Sequence, residues 1–163
     1  MISGWSTFFD AETSAFAALT GLVFVALSIN LKTILKLKGA SGRAGEALVV
    51  LVEPVLLGLA GLIGHQSERA LGVEWLVIGL VAWGWVTAIM HRGRGPLKER
   101  RILEVLIRVG LAEGATLLGV VAGLLLVSGS SSGAGLYCQA GAAAGCLAVG
   151  IVDAWVLLVE ILR

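Results

Sequence analysis

With 163 residues, 58% of them hydrophobic and 14% charged, the chain lies well outside the soluble norm of roughly 45–50% apolar and about 25% charged. Its mean hydropathy of +0.96 makes lipid its main solvent, which excludes a water-soluble globular protein. The formal net charge of +1 indicates no class of partner, because in a membrane protein the placement of charge matters more than its sum. The expectation is an all-α integral membrane helical bundle in a single domain, 1–163, since no polar stretch is long enough to fold separately in water.

A membrane span takes about 20 mostly apolar residues. Five segments qualify, at about 11–33, 47–64, 71–90, 102–127 and 136–162. The first contains TSAFAALTGLVFVALSINL, uncharged from Thr13 to Leu31 and ended by Lys32. No Lys or Arg precedes Lys32, and Asp10 and Glu12 stand where a signal peptide needs a basic region, so this segment is expected to be retained. One stripe along it, Asp10, Ser14, Ala17, Gly21, Phe24 and Ser28, follows alternating steps of four and three. So small and polar a face suits tight packing inside the bundle, a pore lining or an oligomer seam.

The second span, ALVVLVEPVLLGLAGLIG, sets Glu53 directly before Pro54. A proline inside a helix removes one backbone donor and frees the carbonyl four residues earlier, here that of Val50. An acid at such a bend suits an ion site with Pro54 as hinge, or a static kink closed by a salt bridge. The HQSE turn that follows holds His65, Ser67 and Glu68 near Asp10, Glu12 and Glu74, a weak basis for a hydrolytic or metal site. The only other histidine, His91, belongs to the opposite side, and no CxxC, GxSxG or phosphate-binding glycine loop is present, so neither catalytic residue, metal nor cofactor is expected.

Tryptophans mark the third span and its neighbours. Trp5, Trp75 and Tyr137 are expected near the outer interface as amphipathic anchors, and Trp83, Trp85 and Trp155 deeper, in packing roles. The polar stretch HRGRGPLKERR reads as the topology determinant, in reach of anionic headgroups but too short and too close to the membrane for nucleic acid. The fourth span carries two GxxxG pairs, Gly110 with Gly114 and Gly119 with Gly123, and after SGSSSGAG the fifth carries Gly141 with Gly145. Cys138 and Cys146 lie about 12 Å apart along one helix, beyond the roughly 7 Å a disulfide allows, and read as small packing residues.

Basic residues alternate with the spans. Lys32, Lys36, Lys38 and Arg43, then Arg92, Arg94, Lys98, Arg100 and Arg101, and finally Arg163 share one side, while the other holds only Arg69. Because short loops rich in Lys and Arg stay cytoplasmic, this predicts an outside N-terminus and an inside C-terminus.

Among ionisable residues within spans four stand out: Glu53, Arg108, Glu113 and Asp153. Each is costly there and is read as a candidate for an ion or proton path. Counted from the inner ends of their segments, Glu53 and Arg108 share a depth of roughly 9 Å, which predicts an ion pair with Glu104 as a further acceptor. Glu113 and Asp153 come out near the midplane, about 15 Å in. Two carboxylates there cannot both ionise cheaply, so one holds or shares a proton or binds a cation, unless both simply fix the register of the helices.

The first segment, FFDAETSAFAALTGLVFVALSINLK, followed by RAGEALVVLVEPVL, resembles the opening of a group of small uncharacterised bacterial integral membrane proteins, over roughly the first 90 residues. The resemblance implies a multi-pass protein of the bacterial cytoplasmic membrane and brings no activity or site. A fainter likeness, to the pore helix of Orai calcium channels, rests on the TSA start, the acids Asp10 and Glu12, the apolar Phe24 and the basic Lys32 and Lys36. The expected direction of this helix is the reverse, so no residue is carried over. The expectation is thus an oligomeric channel or transporter for a small ion or proton, whose partners are the lipid bilayer and copies of itself. A non-conducting membrane protein with partner-binding basic loops is the rival, and a membrane enzyme ranks below both.

Overall fold

In a computed structural model, which describes residues 2–37, 39–92, 102–129 and 132–162, the chain is helical and, among the described residues, has no strand. Five helices are long and apolar enough to cross a membrane: α1 (Ser6–Ile29), α3 (Ala40–Leu62), α4 (Glu68–Arg92), α5 (Ile102–Ser128) and α6 (Ser132–Leu162). A short helix, α2 (Leu31–Lys36), follows α1. The chain is therefore a multi-pass, all-helical membrane bundle. Most of the basic loop (Arg94, Lys98, Arg100, Arg101), Lys38 and Arg163 lie outside the described residues.

Local chemistry sets the helix ends. At Asn30 the regular α1 ladder stops, and the side-chain Nδ2 as well as the backbone N–H donate to the Ala26 carbonyl. Gly39, at φ 90°, takes the left-handed turn into α3, which a residue with a Cβ adopts only with strain. Ser67 caps α4 by accepting the Ala70 N–H at 3.2 Å, with acidic Glu68 in the first turn as the helix dipole favours. Within α1 the hydroxyls of Thr20 and Ser28 donate to carbonyls one turn back, Phe16 and Phe24, at 2.7 Å each, which spares them a bare polar group in lipid.

The central helix is α3, which packs against α1, α4 and α6, while α5 closes the bundle between α4 and α6. Association in lipid depends on close approach, because hydrocarbon is as apolar as leucine. The α4–α5 contact shows this: a Cβ on Gly123 would meet the Leu76 backbone N at 2.5 Å and the Gly72 O at 2.8 Å, and one on Gly79 would meet the Val120 N at 2.9 Å. Of the predicted glycine pairs, Gly119 and Gly123 are thus both in contact; Gly145 faces Ala115, and Gly110, Gly114 and Gly141 meet nothing within 4 Å.

At the Trp5 end of the bundle, rings interlock: Trp5 stands edge-on to Phe8 and Tyr137, and Phe9 edge-on to Trp75. Trp75 is wholly buried and its Nε1 donates to the Leu57 carbonyl at 2.9 Å, so it ties α4 to α3 rather than anchoring at the interface as expected. The deeper tryptophans also depart from expectation. Trp85 and Trp155 are exposed at 60% and 68%, turned outward with Leu22, Val25, Val77 and Val81 in a belt of apolar side chains that suits contact with lipid tails.

Candidate functional site

The interior of the bundle is not uniformly apolar. Glu12, Glu46, Glu53, Thr116, Gln139 and Asp153 are all buried, from 0 to 5% exposed. Glu53 is the fourteenth of the 23 residues of α3, near mid-length of the central helix, with Pro54 buried beside it. The Cys146 thiol of α6 lies 3.9 Å from Glu53 Oε2, and Oε1 points at Gly119 of α5, where a Cβ would come within 2.7 Å. Oε1 itself has no hydrogen-bond partner.

One and a half turns toward the Trp5 end, α1 contributes Glu12. Gln139 of α6 donates its Nε2–H to Glu12 Oε1 at 2.8 Å, while Glu12 Oε2 and Gln139 Oε1 have no partner. Gly58 of α3 makes room for this group, since a Cβ there would collide with Thr13 Oγ1 and lie 3.5 Å from Glu12 Oε2. Gln139 and Cys146 are seven residues apart, two turns along one face of α6, and Cys146 is within electrostatic reach of both Glu12 and Glu53.

Helix register locates the remaining acids. Since Cys146 faces Glu53 and Gly150 faces Leu51, α3 and α6 run antiparallel, and seven residues further on each side Glu46 and Asp153 fall at one level toward the Lys32 end. The contact of Ala115 with Gly145 sets α5 against α6 in the same way and brings the Arg108 turn of α5 to the level of Asp153. The Arg108 side chain lies outside the described residues.

Two groupings drawn from the sequence do not match this register. Glu53 sits opposite Gly119, eleven residues or about 16 Å along α5 from Arg108, so the two do not share a depth. The reason is that α3 starts at Ala40 and not near 47, which moves Glu53 from the edge of its span to its middle. Nor do Glu113 and Asp153 share the midplane. Glu113 is half-buried and level with Leu147, six residues or about 9 Å short of Asp153. Counting inward from helix ends assumes that the ends share a plane, and α6, with 31 residues, overshoots its neighbours.

The stripe of α1 also lies differently from tight packing inside one bundle. Asp10, Ser14, Ala17, Gly21, Phe24 and Ser28 are all exposed, and α1 packs through the opposite residues Phe9, Glu12 and Phe16. Gln139 was not expected at a site, and Glu12 was read only with the HQSE turn and the acidic start of the first span, not as a buried interior acid. Glu12 sat at the edge of an expected span beside Asp10, and Gln139 carried no charge, although its amide inside an otherwise apolar and small-residue helix was the signal to follow.

In comparisons with known protein families, curated proteins and solved structures the chain matches none. Among the described residues no three His, Cys, Asp or Glu side chains are grouped to hold a metal ion. What the geometry defines is a multi-pass membrane bundle with carboxyl groups buried in its interior.

Proposed function

We propose that this protein moves a small ion or proton across the membrane, as a channel or transporter. One observation carries this reading: Glu53, 2% exposed at the middle of the central helix, leaves one carboxyl oxygen without a partner against a glycine of the next helix. An ionised carboxylate buried without compensation is among the most costly groups in a bilayer interior, and a bundle needing only cohesion would do better with an apolar residue there. Pro54 supports the reading, because it withholds a backbone donor one residue from the acid and makes that turn of α3 the one most easily opened. The exposed small-residue stripe of α1 supports self-association, and the positive-inside distribution supports a cytoplasmic-membrane protein with its N-terminus outside.

The test is flux through purified protein in liposomes. Transport of protons, sodium, potassium or chloride that Glu53→Gln reduces while helicity is retained is the expected result; liposomes impermeable to all four rule the reading out. The rival, a non-conducting membrane protein, is favoured by the Gln139–Glu12 bond and the Cys146–Glu53 contact, which by themselves tie α1 and α3 to α6.

A further inference from the structure

Resting on that transport reading, we infer that the species bound is a proton, held at two carboxyls, Glu12 on α1 and Glu53 on α3, that flank one face of α6. The donor and acceptor inventory leads there. Three acceptor oxygens in this region, on Glu12, Glu53 and Gln139, have no hydrogen-bond partner, and Gln139, which is wholly buried, is not itself an acid. Of the donors at hand, one Gln139 N–H goes to Glu12 Oε1 and the Cys146 thiol lies against Glu53 Oε2, while the Thr13 hydroxyl beside Glu12 makes no hydrogen bond to either carboxyl. Carboxyl oxygens buried without a donor call for added hydrogen, and a carboxyl that gains a proton changes from acceptor alone to donor as well.

A proton fits this space better than a metal cation. Hard cations collect about six or more oxygens, whereas the unpartnered side-chain oxygens here are three around Gly58, on Glu12, Thr13 and Gln139, and one on Glu53 against Gly119. The glycines make room for the oxygens themselves: Gly119 for Glu53 Oε1, and Gly58 for Glu12 Oε2 and Thr13 Oγ1. Among the described side chains the other titratable groups around the pair are Glu46 and Asp153 two turns toward the Lys32 end, and half-buried Glu113 and Glu74 on α5 and α4. Asp10 is turned outward.

The arrangement is a two-station relay. Glu12, about 9 Å into α1 from the Trp5 end, receives the proton. In the transfer the O–H bond at Glu12 Oε2 breaks, one forms at Glu53 Oε1, and the negative charge passes from Glu53 to Glu12, which a further proton from the Trp5 side neutralises. Two turns of α6 exceed the length of a hydrogen bond, so water admitted along this face of α6 bridges the stations.

Infrared spectroscopy of the full-length protein in lipid vesicles at neutral pH reads the stations directly. The wild type is expected to show the carbonyl stretch of protonated carboxyls, with one component lost in Glu12→Gln and another in Glu53→Gln. A spectrum without that band overturns the proton assignment whatever the flux. In the same vesicles a proton gradient should collapse through the wild type and at least about tenfold more slowly through either variant, positioned acid–base groups being worth roughly 10²–10⁴-fold. Glu12→Asp and Glu53→Asp, which keep the carboxyl, retain part of the rate and carry the test if a Gln variant fails to fold. Vesicles that pass sodium or potassium but not protons overturn this inference and leave transport standing. Vesicles that pass nothing overturn both, and proton flux unchanged in both variants removes the role of these carboxyls alone.

Discussion

Gly119 of α5 and Glu53 of α3 are matched: the glycine stands where a Cβ would approach Glu53 Oε1 to 2.7 Å. The acid occupies the volume that the missing side chain leaves. The same helix offers an internal comparison at Gly123, whose Cβ would strike backbone atoms of Leu76 and Gly72.

That contrast predicts an order of destabilisation. Overpacking costs about 1–3 kcal/mol, but the end of a glutamate side chain can rotate away and backbone cannot. Gly123→Ala should therefore lower the thermal midpoint in detergent more than Gly119→Ala, and Gly110→Ala and Gly114→Ala, which meet open space, should leave it unchanged. Gly119→Ala has a second consequence, since it displaces the Glu53 carboxyl and should reduce ion flux beyond its effect on stability. Equal midpoints for Gly119→Ala and Gly123→Ala would contradict this packing.

The bond from Gln139 to Glu12 links α6 to α1, a helix that otherwise packs mainly on α3. Gln139→Leu leaves a buried carboxyl oxygen without its donor, which costs about 1–3 kcal/mol. Glu12→Leu in the same background removes the orphaned group and should recover part of the loss. A double-mutant cycle by reversible unfolding in mixed micelles measures the coupling, expected at about 0.5 kcal/mol or more. A coupling of zero shows that the two side chains do not interact in lipid.

The bundle and its five crossings were legible in the sequence because length and apolarity decide them, and each expected span overlaps one long helix. Rotation and depth were not. Glycine spacing named the α5 pair that packs, but it named equally Gly110 with Gly114, which faces outward, because spacing identifies a face without its partner. Glu53 was found as a buried acid, and its neighbours were missed because the register of α3 against α5 and α6 follows from where α3 begins, seven residues before its apolar run. The residues from Arg43 to Glu46 are helical despite two charges, and no apolar count extends a span across them.

Tryptophan placement gives a prediction free of any functional assumption. Trp75 is enclosed and bonded to the Leu57 carbonyl, while Trp85 and Trp155 face outward. In vesicles of brominated lipid, single-tryptophan variants retaining Trp85 or Trp155 should be quenched strongly and one retaining Trp75 weakly. Trp75→Phe keeps the ring against Phe9 and loses the hydrogen bond, for a cost of about 0.5–1.5 kcal/mol. Strong quenching of Trp75 would place α4 in a different rotation.

The outward stripe of α1 supplies the last prediction. Phe9, Glu12 and Phe16 attach this helix to α3 and α6, and the opposite face offers Ser14, Ala17 and Gly21, small groups that gain nothing from lipid tails and allow close approach by another helix. A second copy presenting the same face would bury these residues and the Ser28 hydroxyl together, by the small-residue contact that holds α4 to α5 within one chain. With Cys138 and Cys146 replaced by alanine, Gly21→Cys and Ser14→Cys should each form disulfide-linked dimers in native membranes under mild oxidation. Leu19→Cys, which is half-buried against α3 and α6, should not. Gly21→Ile, introduced beside Ser14→Cys, should abolish the Ser14→Cys dimer by holding the helices apart without altering helicity. Cross-linking at Leu19→Cys as strong as at Gly21→Cys would indicate random collision and remove the seam.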